Sequence, residues 1–336
     1  MLRPLSQAVG FLNQHNMDFD SKQILIKSIE SNAAESNFPT DWIEFSKAQR
    51  RRNSSIIKLF SPSTSQKIII KTLHNPKTKN EAELNFLALK HYHSKSDKYS
   101  VPKPIGVIDN SLIMEFVEGK NCKQLFQKAF FNQRLQKKLI SATASWLSWF
   151  HKVGAAENSE LVYLERLTGI EKRISKIKNF NKKYPDFIKI LEQAKLTASI
   201  MESVQLPFTN IHGDFKPSNL IFAKDKVYGL DFSSSKKGAI TYDICRFLSH
   251  IDIHRPFFQK SYATDFDNTE NNFTHFINSY GDTAKSVSRD AIRLIYLTTI
   301  LDRWSALLMH RANFKLTPAM IYLTIRLKRI AKDISK

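Results

Sequence analysis

Hydrophobic positions in the first third of the chain alternate with polar ones at the two-residue spacing typical of β-strands. The alternating segments are rich in β-branched residues, and turn residues such as Pro62 and Asp109-Asn110 separate them. The predicted strands cover residues 43–45, 55–60, 67–71, 105–108 and 112–116. The pattern therefore predicts a small sheet in this part of the chain.

Apolar residues at helical spacing occur once between the predicted strands and become the main pattern beyond Asn121. A helix is predicted from about Asn80 to Tyr92, with Leu84, Leu87 and Ala88 facing the core. The other predicted helices cover residues 1–36, 132–153, 165–203 with an interruption at Pro185, and most of the chain from Tyr242 onwards. Two short strands are predicted near residues 220–222 and 227–230. The expected fold class is α+β.

This pattern divides the chain into three predicted regions. Residues 1–40 form an N-terminal helical extension, residues 41–117 a small sheet with one helix, and residues 118–336 a larger, mainly helical part. The 42% share of hydrophobic residues and the 24 phenylalanines predict a globular protein with aromatic cores.

The cysteines and the apolar segments indicate in which cellular compartment we expect the protein. Cys122 and Cys245 are far apart in the chain, which excludes a disulfide scaffold and favours the reducing cytoplasm. No secretory signal is expected at the N-terminus. The longest apolar run, residues 291–310, is interrupted by charged side chains, so we expect a buried helix rather than a membrane span.

The most informative segment runs from Ile211 to Phe222. Within it, Asp214 is followed after four intervening residues by Asn219, and Asp231 ends the next predicted strand. Phosphoryl transfer needs a carboxylate that orients the acceptor hydroxyl and oxygen ligands for the metal ions that neutralise the phosphates. The order of these residues supplies both, whereas a chance turn at a strand end is the plain alternative.

The segment resembles the catalytic and metal-binding loops of the aminoglycoside phosphotransferase and choline kinase-like families, which are relatives of protein kinases. His212-Gly213-Asp214 with Asn219 matches the family pattern His-Gly-Asp-x-x-x-x-Asn. The resemblance implies a two-lobed protein-kinase-like fold with an antiparallel-sheet N-lobe and a helical C-lobe. It implies Asp214 as the catalytic base and Asn219 and Asp231 as Mg²⁺ ligands. It also implies ATP as the phosphate donor, with GTP as the alternative.

Two further residues near this loop match related patterns. Lys216 resembles the lysine of the protein-kinase pattern Asp-x-Lys-Pro-x-Asn, where a cation stabilises charge on the transferred phosphoryl group, and an exposed loop lysine is the alternative. Asp243 matches a family aspartate that braces the catalytic loop, so we interpret it as structural. His212 is interpreted as a packed structural residue.

The nucleotide side of the predicted site lies in the sheet region. Lys71 ends an apolar strand, where a cation can pair with nucleotide phosphates, held by a glutamate of the following helix. Glu81 is the better match to that glutamate and Glu83 the second choice. The resemblance implies that the backbone of Glu115 and Val117 holds the adenine.

Two departures from kinase patterns narrow the function. No glycine-rich phosphate loop is present. Instead, residues 46–54 contain Arg50-Arg51-Arg52, which either contact phosphates or form a solvated turn. Only eleven residues separate Asp231 from Asp243, too few for a protein-kinase activation loop, and this spacing disfavours protein kinase activity.

The distribution of charge along the chain narrows the class of substrate that we expect. The net charge is +20, and residues 171–195, the predicted substrate-facing insert, carry eight Lys and Arg against three carboxylates. Cationic aminoglycosides or choline fit such a surface poorly, so we expect a neutral or anionic hydroxyl substrate: a sugar, a sugar phosphate, or a glycan or lipid precursor. The basic run at 323–336 allows peripheral contact with an anionic membrane surface or is simply a solvated helix face.

Three other functions stay open at this point. A choline or aminoglycoside-type kinase fits the motif, and a non-catalytic kinase-like binding module would share the fold without turning over ATP. A nucleic-acid-binding protein fits the pI of about 9.8, although no signature for specific nucleic-acid recognition accompanies it.

Overall fold

The computed structural model describes residues 39, 41–50, 54–74, 80–93, 95–154, 157–160, 164–201, 204–231, 236–253, 268, 270–309, 321 and 324–330. The predicted N-terminal helix and the side chains of Arg50-Arg51-Arg52 lie outside these residues. Contacts divide the chain into two compact units, one of residues 1–119 with Ala223–Leu230 and one of Lys120–Phe222 with Asp231–Lys336. The predicted domain boundaries stay a prediction.

The first unit is built around a five-stranded antiparallel sheet with strand order β1-β2-β3-β6-β5. Its elements are β1 (Ile43–Arg50), β2 (Ser54–Phe60), β3 (Lys67–Leu73), α1 (Glu81–Tyr92), β4 (Tyr99–Ser100), β5 (Pro104–Ile108), β6 (Ser111–Glu115) and β11 (Val227–Gly229). β11 pairs in parallel with β4. Each predicted strand in residues 41–117 is present, and β1 is longer than predicted.

The core of the first unit follows the alternation of its strands. Apolar side chains from one face of the sheet are buried together, and they are Trp42, Ile57, Leu59, Ile68, Ile70 and Ile113. Because successive strand residues point to opposite faces, Ile57 and Leu59 lie inside while Lys58 lies between them on the other face. The two-residue period of the sequence is therefore the property that builds this core.

The predicted core face of α1 is wrong for Leu84 and Leu87 and right for Ala88. Leu84 and Leu87 are 38% and 53% exposed, and the buried residues are Ala82, Ala88, Leu89 and Tyr92. Apolar residues occur on two stripes of this helix, and both satisfy helical spacing. The helix packs on β5 and β6 through the stripe that contains Leu89 and Tyr92, so packing rather than periodicity selects the buried face.

The second unit is mainly helical, and its described strands form three short antiparallel pairings. Its helices are α2 (Cys122–Lys128), α3 (Gln133–Val153), α4 (Leu164–Ile174), α5 (Phe180–Lys183), α6 (Pro185–Ile200), α7 (Ile240–Ile253), α8 (Asn272–Tyr280), α9 (Asp282–Lys285) and α10 (Arg289–Met309), with a further helical segment at 324–330. Its strands are β7 (Lys120–Asn121), β8 (Glu157–Glu160), β9 (Gln205–Asn210), β10 (Leu220–Phe222) and β12 (Lys237–Ala239). β9 lies between β8 and β12, and β10 pairs with β7.

The α+β class, with an antiparallel sheet in the N-terminal region and helices in the C-terminal part, is confirmed. The segment predicted as one or two helices over 165–203 forms three. Pro185 is the first residue of α6 rather than a break inside a helix, because proline is tolerated where the backbone N–H needs no helical partner.

Helix α10 covers residues 291–309 of the predicted apolar run and is buried along most of its length, packing on α7, α6 and α4. No helix among the described residues is long and apolar enough to cross a membrane. In the described part of the basic run, residues 324–330, Arg326 is 3% exposed and donates to the Asp252 carbonyl oxygen at 3.0 Å. This arginine is a structural residue of the core.

Candidate active site

The predicted catalytic loop leaves the end of β9 and is held there by backbone pairing. The amide of Ile211 donates to the Lys236 carbonyl oxygen at 2.8 Å, one residue before β12 begins. Gly213 has a φ of +78°, a region in which a side chain is strained, and an added Cβ would meet the Lys236 side chain at 3.1 Å. The glycine is therefore required by the turn that leads to Asp214.

Asp243 on α7 braces this turn. Its Oδ2 accepts the His212 amide at 2.6 Å and its Oδ1 accepts the Gly213 amide at 2.9 Å, and the side chain is completely buried. A buried carboxylate is stabilised when it accepts several hydrogen bonds. The interpretation of Asp243 as a structural brace is thus confirmed.

The brace extends into the helical core through His151 of α3. His151 Nε2 lies 3.2 Å from Asp243 Oδ2, and its Nδ1 lies 2.8 Å from the Tyr280 hydroxyl. Thr209, on the strand that leads into the loop, donates to the His151 carbonyl oxygen at 3.0 Å. Four separate elements therefore fix the start of the catalytic loop.

Phe215 anchors the middle of the loop. It is completely buried and stacks on Trp146 of α3, with ring centroids 5.7 Å apart and planes 9° apart, and contacts Phe247 of α7 at 5.2 Å. Its neighbours Asp214 and Lys216 are partly exposed. Burial of the residue between them turns both charged side chains towards the same open side.

Asp214 is held by two cations. Its Oδ1 accepts from Nη2 and Nε of Arg246 at 2.6 Å and 3.1 Å, and its Oδ2 pairs with the Lys216 ammonium. Burial acts to raise the pKa of Asp214, but the hydrogen bonds and charges of Lys216 and Arg246 outweigh it and hold the pKa below its ordinary 3.8. The carboxylate is therefore ionised at neutral pH.

His212 lies between the charged residues of the loop and the aromatic core. It is fully buried, and burial holds its pKa below the ordinary 6.5 against the opposing charges of Asp243, Asp214 and Asp231. The imidazole is therefore neutral at physiological pH, which agrees with a packing role.

The predicted metal ligands offer the oxygens that Mg²⁺ prefers. Asn219 donates from Nδ2 to the Asp214 carbonyl oxygen at 3.0 Å and to Asp214 Oδ2 at 3.3 Å. Its Oδ1, which accepts the Ser218 hydroxyl at 3.4 Å, is the oxygen that can bind a cation. Asp231 is exposed and has a φ of +57°, which aspartate tolerates better than most residues. No group of three or more His, Cys, Asp or Glu that could bind a metal ion occurs within the described ranges. The donor set here is one amide and one carboxylate, which fits a cation that also binds phosphate oxygens.

Sequence reasoning missed Arg246. It lies on α7 three residues after Asp243, and its guanidinium donates two hydrogen bonds to one oxygen of Asp214. The helical spacing places both residues on the side of α7 that faces the loop, which is a signal that the sequence contained. Asn121 was missed as well, and its Nδ2 donates to the Ser218 carbonyl oxygen at 2.9 Å.

The predicted nucleotide-side residues all lie in the first unit. Lys71 is on β3, opposite Ile56 of β2 and Leu112 of β6, and Glu81 is the first residue of α1. Glu115 ends β6, where its amide donates to the Lys103 carbonyl oxygen at 3.0 Å and its Oε1 accepts the Lys103 amide at 2.8 Å. Val117 follows and is buried. The sheet register positions this set, and its role in nucleotide binding stays a prediction.

Three solved kinases have the fold of this chain. A choline kinase from Cryptosporidium parvum Iowa II aligns with a TM-score of 0.61 at 12% identity, over 93% of this chain and 95% of that one. A Plasmodium vivax ethanolamine kinase aligns with a TM-score of 0.53 at 17% identity, over 98% and 94%. An amicoumacin kinase in complex with AMP-PNP, Ca²⁺ and Ami aligns with a TM-score of 0.56 at 13% identity, over 94% and 96%.

None of the curated proteins compared with the chain matches it in sequence. A family model described as a phosphotransferase enzyme family, however, matches residues 64–271, which include the catalytic loop, Asp231 and the α7 brace. The match and the kinase fold confirm the predicted two-lobed, protein-kinase-like class. The chain belongs to the phosphotransferase enzyme family and is a kinase that acts on an alcohol group.

Proposed function

We propose that this kinase uses ATP and Mg²⁺ to phosphorylate a hydroxyl of a small neutral or anionic molecule, such as a sugar, a sugar phosphate, or a glycan or lipid precursor. The observation that carries the proposal is the Asp214 carboxylate, ionised and partly exposed, with Arg246 and Lys216 against it and the Asn219 amide on its backbone. GTP is the alternative donor.

Asp214 has the central role in the proposed mechanism. Its carboxylate accepts a hydrogen bond from the acceptor hydroxyl and takes the proton as the oxygen attacks. Because the pKa of Asp214 is lowered, the group is always ionised at neutral pH and acts mainly by orienting the hydroxyl. The brace from Asp243 fixes the backbone on which this carboxylate stands.

The other predicted site residues bind the nucleotide or neutralise the negative charge of its phosphates. ATP with Mg²⁺, when bound, supplies the phosphoryl group and neutralises part of its charge. Asn219 Oδ1 and the Asp231 carboxylate would hold the metal, and Lys216 would stabilise charge on the transferred group. Lys71, held by Glu81 or Glu83, would bind the nucleotide phosphates, and the Glu115 carbonyl and Val117 amide would bind the adenine.

The charge around Asp214 favours a neutral or anionic acceptor over a cationic one. Lys216 and Arg246 both contact the Asp214 carboxylate. Lys236 Nζ lies 5.1 Å from the ring centre of Tyr242, which is on the same helix as Arg246. A cationic amine beside the acceptor hydroxyl would be repelled by these groups. A choline- or aminoglycoside-type substrate is the second candidate, since solved kinases with this fold include a choline kinase and an ethanolamine kinase.

A transfer screen tests the proposal. The wild-type chain is incubated with ATP labelled at the γ-phosphate and a panel of neutral, anionic and cationic hydroxyl compounds, and labelled product is measured. We expect Mg²⁺-dependent transfer to neutral or anionic acceptors, lowered about 10³-fold in Asp214→Ala because a positioned general base typically contributes that much. Asp225→Ala, an exposed turn residue, serves as the control.

Two outcomes would defeat the proposal. The absence of metal-dependent ATP turnover with every acceptor would favour a non-catalytic binding module. Transfer to choline or aminoglycosides with no transfer to neutral or anionic acceptors would favour the second candidate.

A further inference from the structure

The turn between α2 and α3 exposes two adjacent aromatic side chains that the proposed catalytic machinery does not use. Phe131 is 94% exposed and Phe130 is 39% exposed. Their rings pack edge to face, with centroids 4.8 Å apart and planes 87° apart. A single exposed apolar side chain is ordinary on a protein surface, whereas adjacent exposed rings form an apolar patch that is favourable to bury.

Hydrogen bonds hold the backbone of this turn in place. Gln136 Nε2 donates to the carbonyl oxygens of Ala129 and Phe130 at 3.0 Å and 2.9 Å. The Asn132 amide donates to the Ala129 carbonyl oxygen at 2.8 Å, and Asn132 Oδ1 accepts the Leu135 amide at 2.9 Å and so caps α3. Because these bonds fix the turn, the exposure of the two rings is built into the fold.

The chain around the turn is basic. Residues 119–156 contain seven Lys and Arg and no Asp or Glu. Lys137 is paired with Glu270 at 2.8 Å. Four others on α2 and α3 are exposed and form no ion pair with a described residue, and they are Lys123, Lys128, Arg134 and Lys138. Lys128 and Arg134 flank the aromatic pair directly, and we call residues 128–134 the aromatic tip.

An exposed aromatic pair with a basic rim is complementary to the surface of an anionic bilayer. Aromatic rings bury apolar area at the level of the lipid headgroups, while Lys and Arg attract the anionic headgroups. A ring that is 94% exposed projects from the protein. A fluid bilayer can enclose a projecting ring without any preformed pocket, whereas a folded protein partner would need a matching one.

We infer that the chain docks on anionic lipid membranes through the aromatic tip, with Phe130 and Phe131 inserted among the headgroups and Lys128 and Arg134 against the lipid anions. This surface is distinct from the basic run at 323–336, in which Arg326 is buried. The inference goes beyond the proposed function and does not depend on it.

Helix α2 connects the aromatic tip to the catalytic loop within the second unit. Asn121 caps the start of α2 by accepting the Lys123 amide at 3.0 Å, and its Nδ2 donates to the Ser218 carbonyl oxygen at 2.9 Å. The helix has seven residues, so the tip and the loop are separated by about 10 Å along its axis. A chain docked through the tip therefore holds its catalytic loop near the bilayer surface.

The test measures how much of the full chain sediments with vesicles of phosphatidylcholine alone or of equal parts of phosphatidylcholine and phosphatidylglycerol. We expect binding to the anionic vesicles and much weaker binding to the neutral ones. Phe131→Ser should lower the partition coefficient on anionic vesicles about tenfold, because one inserted ring is lost. The matched control is Ile200→Ser, which removes an apolar side chain that is 75% exposed at the end of α6 and should leave binding unchanged.

A second pair of variants tests the basic rim. Lys128→Gln combined with Arg134→Gln should weaken binding to anionic vesicles about 10- to 30-fold, since each cation near such a surface strengthens binding roughly fivefold. Lys176→Gln combined with Lys178→Gln changes the net charge equally at exposed residues after α4 and should have little effect, because charges far from the surface are screened by salt. Equal losses in the two double variants would overturn the inference, since net charge would then govern binding.

Insertion of the rings has its own readout. Relative to the wild-type chain, Phe131→Trp should gain blue-shifted fluorescence on anionic vesicles and should be quenched by brominated acyl chains. Absence of this quenching, or wild-type binding that Phe131→Ser leaves unchanged, would overturn the inference. Failure of the wild-type chain to bind either vesicle would overturn it as well and would make an acidic protein the next partner to test. Each of these results leaves the proposed function standing, because the transfer screen tests that function without membranes.

Discussion

The catalytic loop of the second unit and the candidate nucleotide residues of the first unit are held in place in different ways. Asp243, His151 and Tyr280 come from three separate helices and form a buried hydrogen-bonded network beneath the loop. Lys71 and Glu115 are positioned instead by the backbone ladder between neighbouring strands, at partly exposed places.

This difference predicts different sensitivity to mutation. A buried network leaves donors unsatisfied when one member is lost, so stability and activity fall together. A side chain on a regular strand can be replaced without disturbing the ladder, so its removal reports on ligand binding alone. The following predictions test that contrast, from the largest expected effect to the smallest.

Removal of the brace should have the largest effect on stability. Asp243→Ala leaves two buried amides without an acceptor and removes the partner of His151 Nε2, so the free energy of unfolding should fall by about 3–5 kcal/mol. Urea denaturation measures this loss. The matched control, Asp225→Ala in an exposed turn, should change it by about 0.5 kcal/mol or less. If the two variants were equally stable, the buried network beneath the catalytic loop would not be the stabilising feature that we infer.

Lys71→Met should affect nucleotide binding without affecting the fold. Loss of a cation that pairs with phosphate should raise the KM for ATP by about tenfold or more, with an unchanged unfolding midpoint. Lys90→Met, an exposed lysine on α1, is the control for charge. Nucleotide kinetics identical in both variants would show that Lys71 does not bind the nucleotide.

Arg246→Met should change the pH dependence of activity. A carboxyl with a lowered pKa supports activity above that pKa and loses it as the pH falls through it. Removal of Arg246 withdraws a group that lowers the pKa of Asp214, so the acidic limb of kcat/KM should move to higher pH. Arg246→Lys should keep the limb nearer its wild-type position. A shift to lower pH in the methionine variant would contradict this electrostatic account.

The surface ion pair of the first unit should have the smallest effect. Lys67 and Glu118 form a contact with side chains 36% and 68% exposed, so Glu118→Gln should change the free energy of unfolding by about 0.5 kcal/mol or less. Ile70→Ala, which removes a completely buried side chain from the same sheet, should cost about 3 kcal/mol in the same urea experiment. Similar losses for the two would show that this sheet is not stabilised mainly by its core.

Sequence periodicity and motif spacing were sufficient to predict most of the elements and the loop that carries Asp214 and Asn219. Strand alternation predicts the sheet of the first unit because the two-residue period leaves one arrangement that buries the isoleucines. The loop motif is local, and its residues stay together in any fold that forms the turn. The buried face of α1, with Leu84 and Leu87 exposed, was mispredicted because two stripes of the helix had the same period.

What the linear sequence could not reveal are contacts between residues far apart in the chain. Arg246 is separated from Asp214 by 32 positions, and only the packing of α7 beside the catalytic loop brings its guanidinium group to that carboxylate. The reason is physical: side-chain periodicity records which face of an element is buried, whereas the choice of neighbour across that face depends on how all the elements pack. The phosphotransfer motif could therefore be predicted from the sequence, whereas the contact of Arg246 with Asp214 was decided by the tertiary structure.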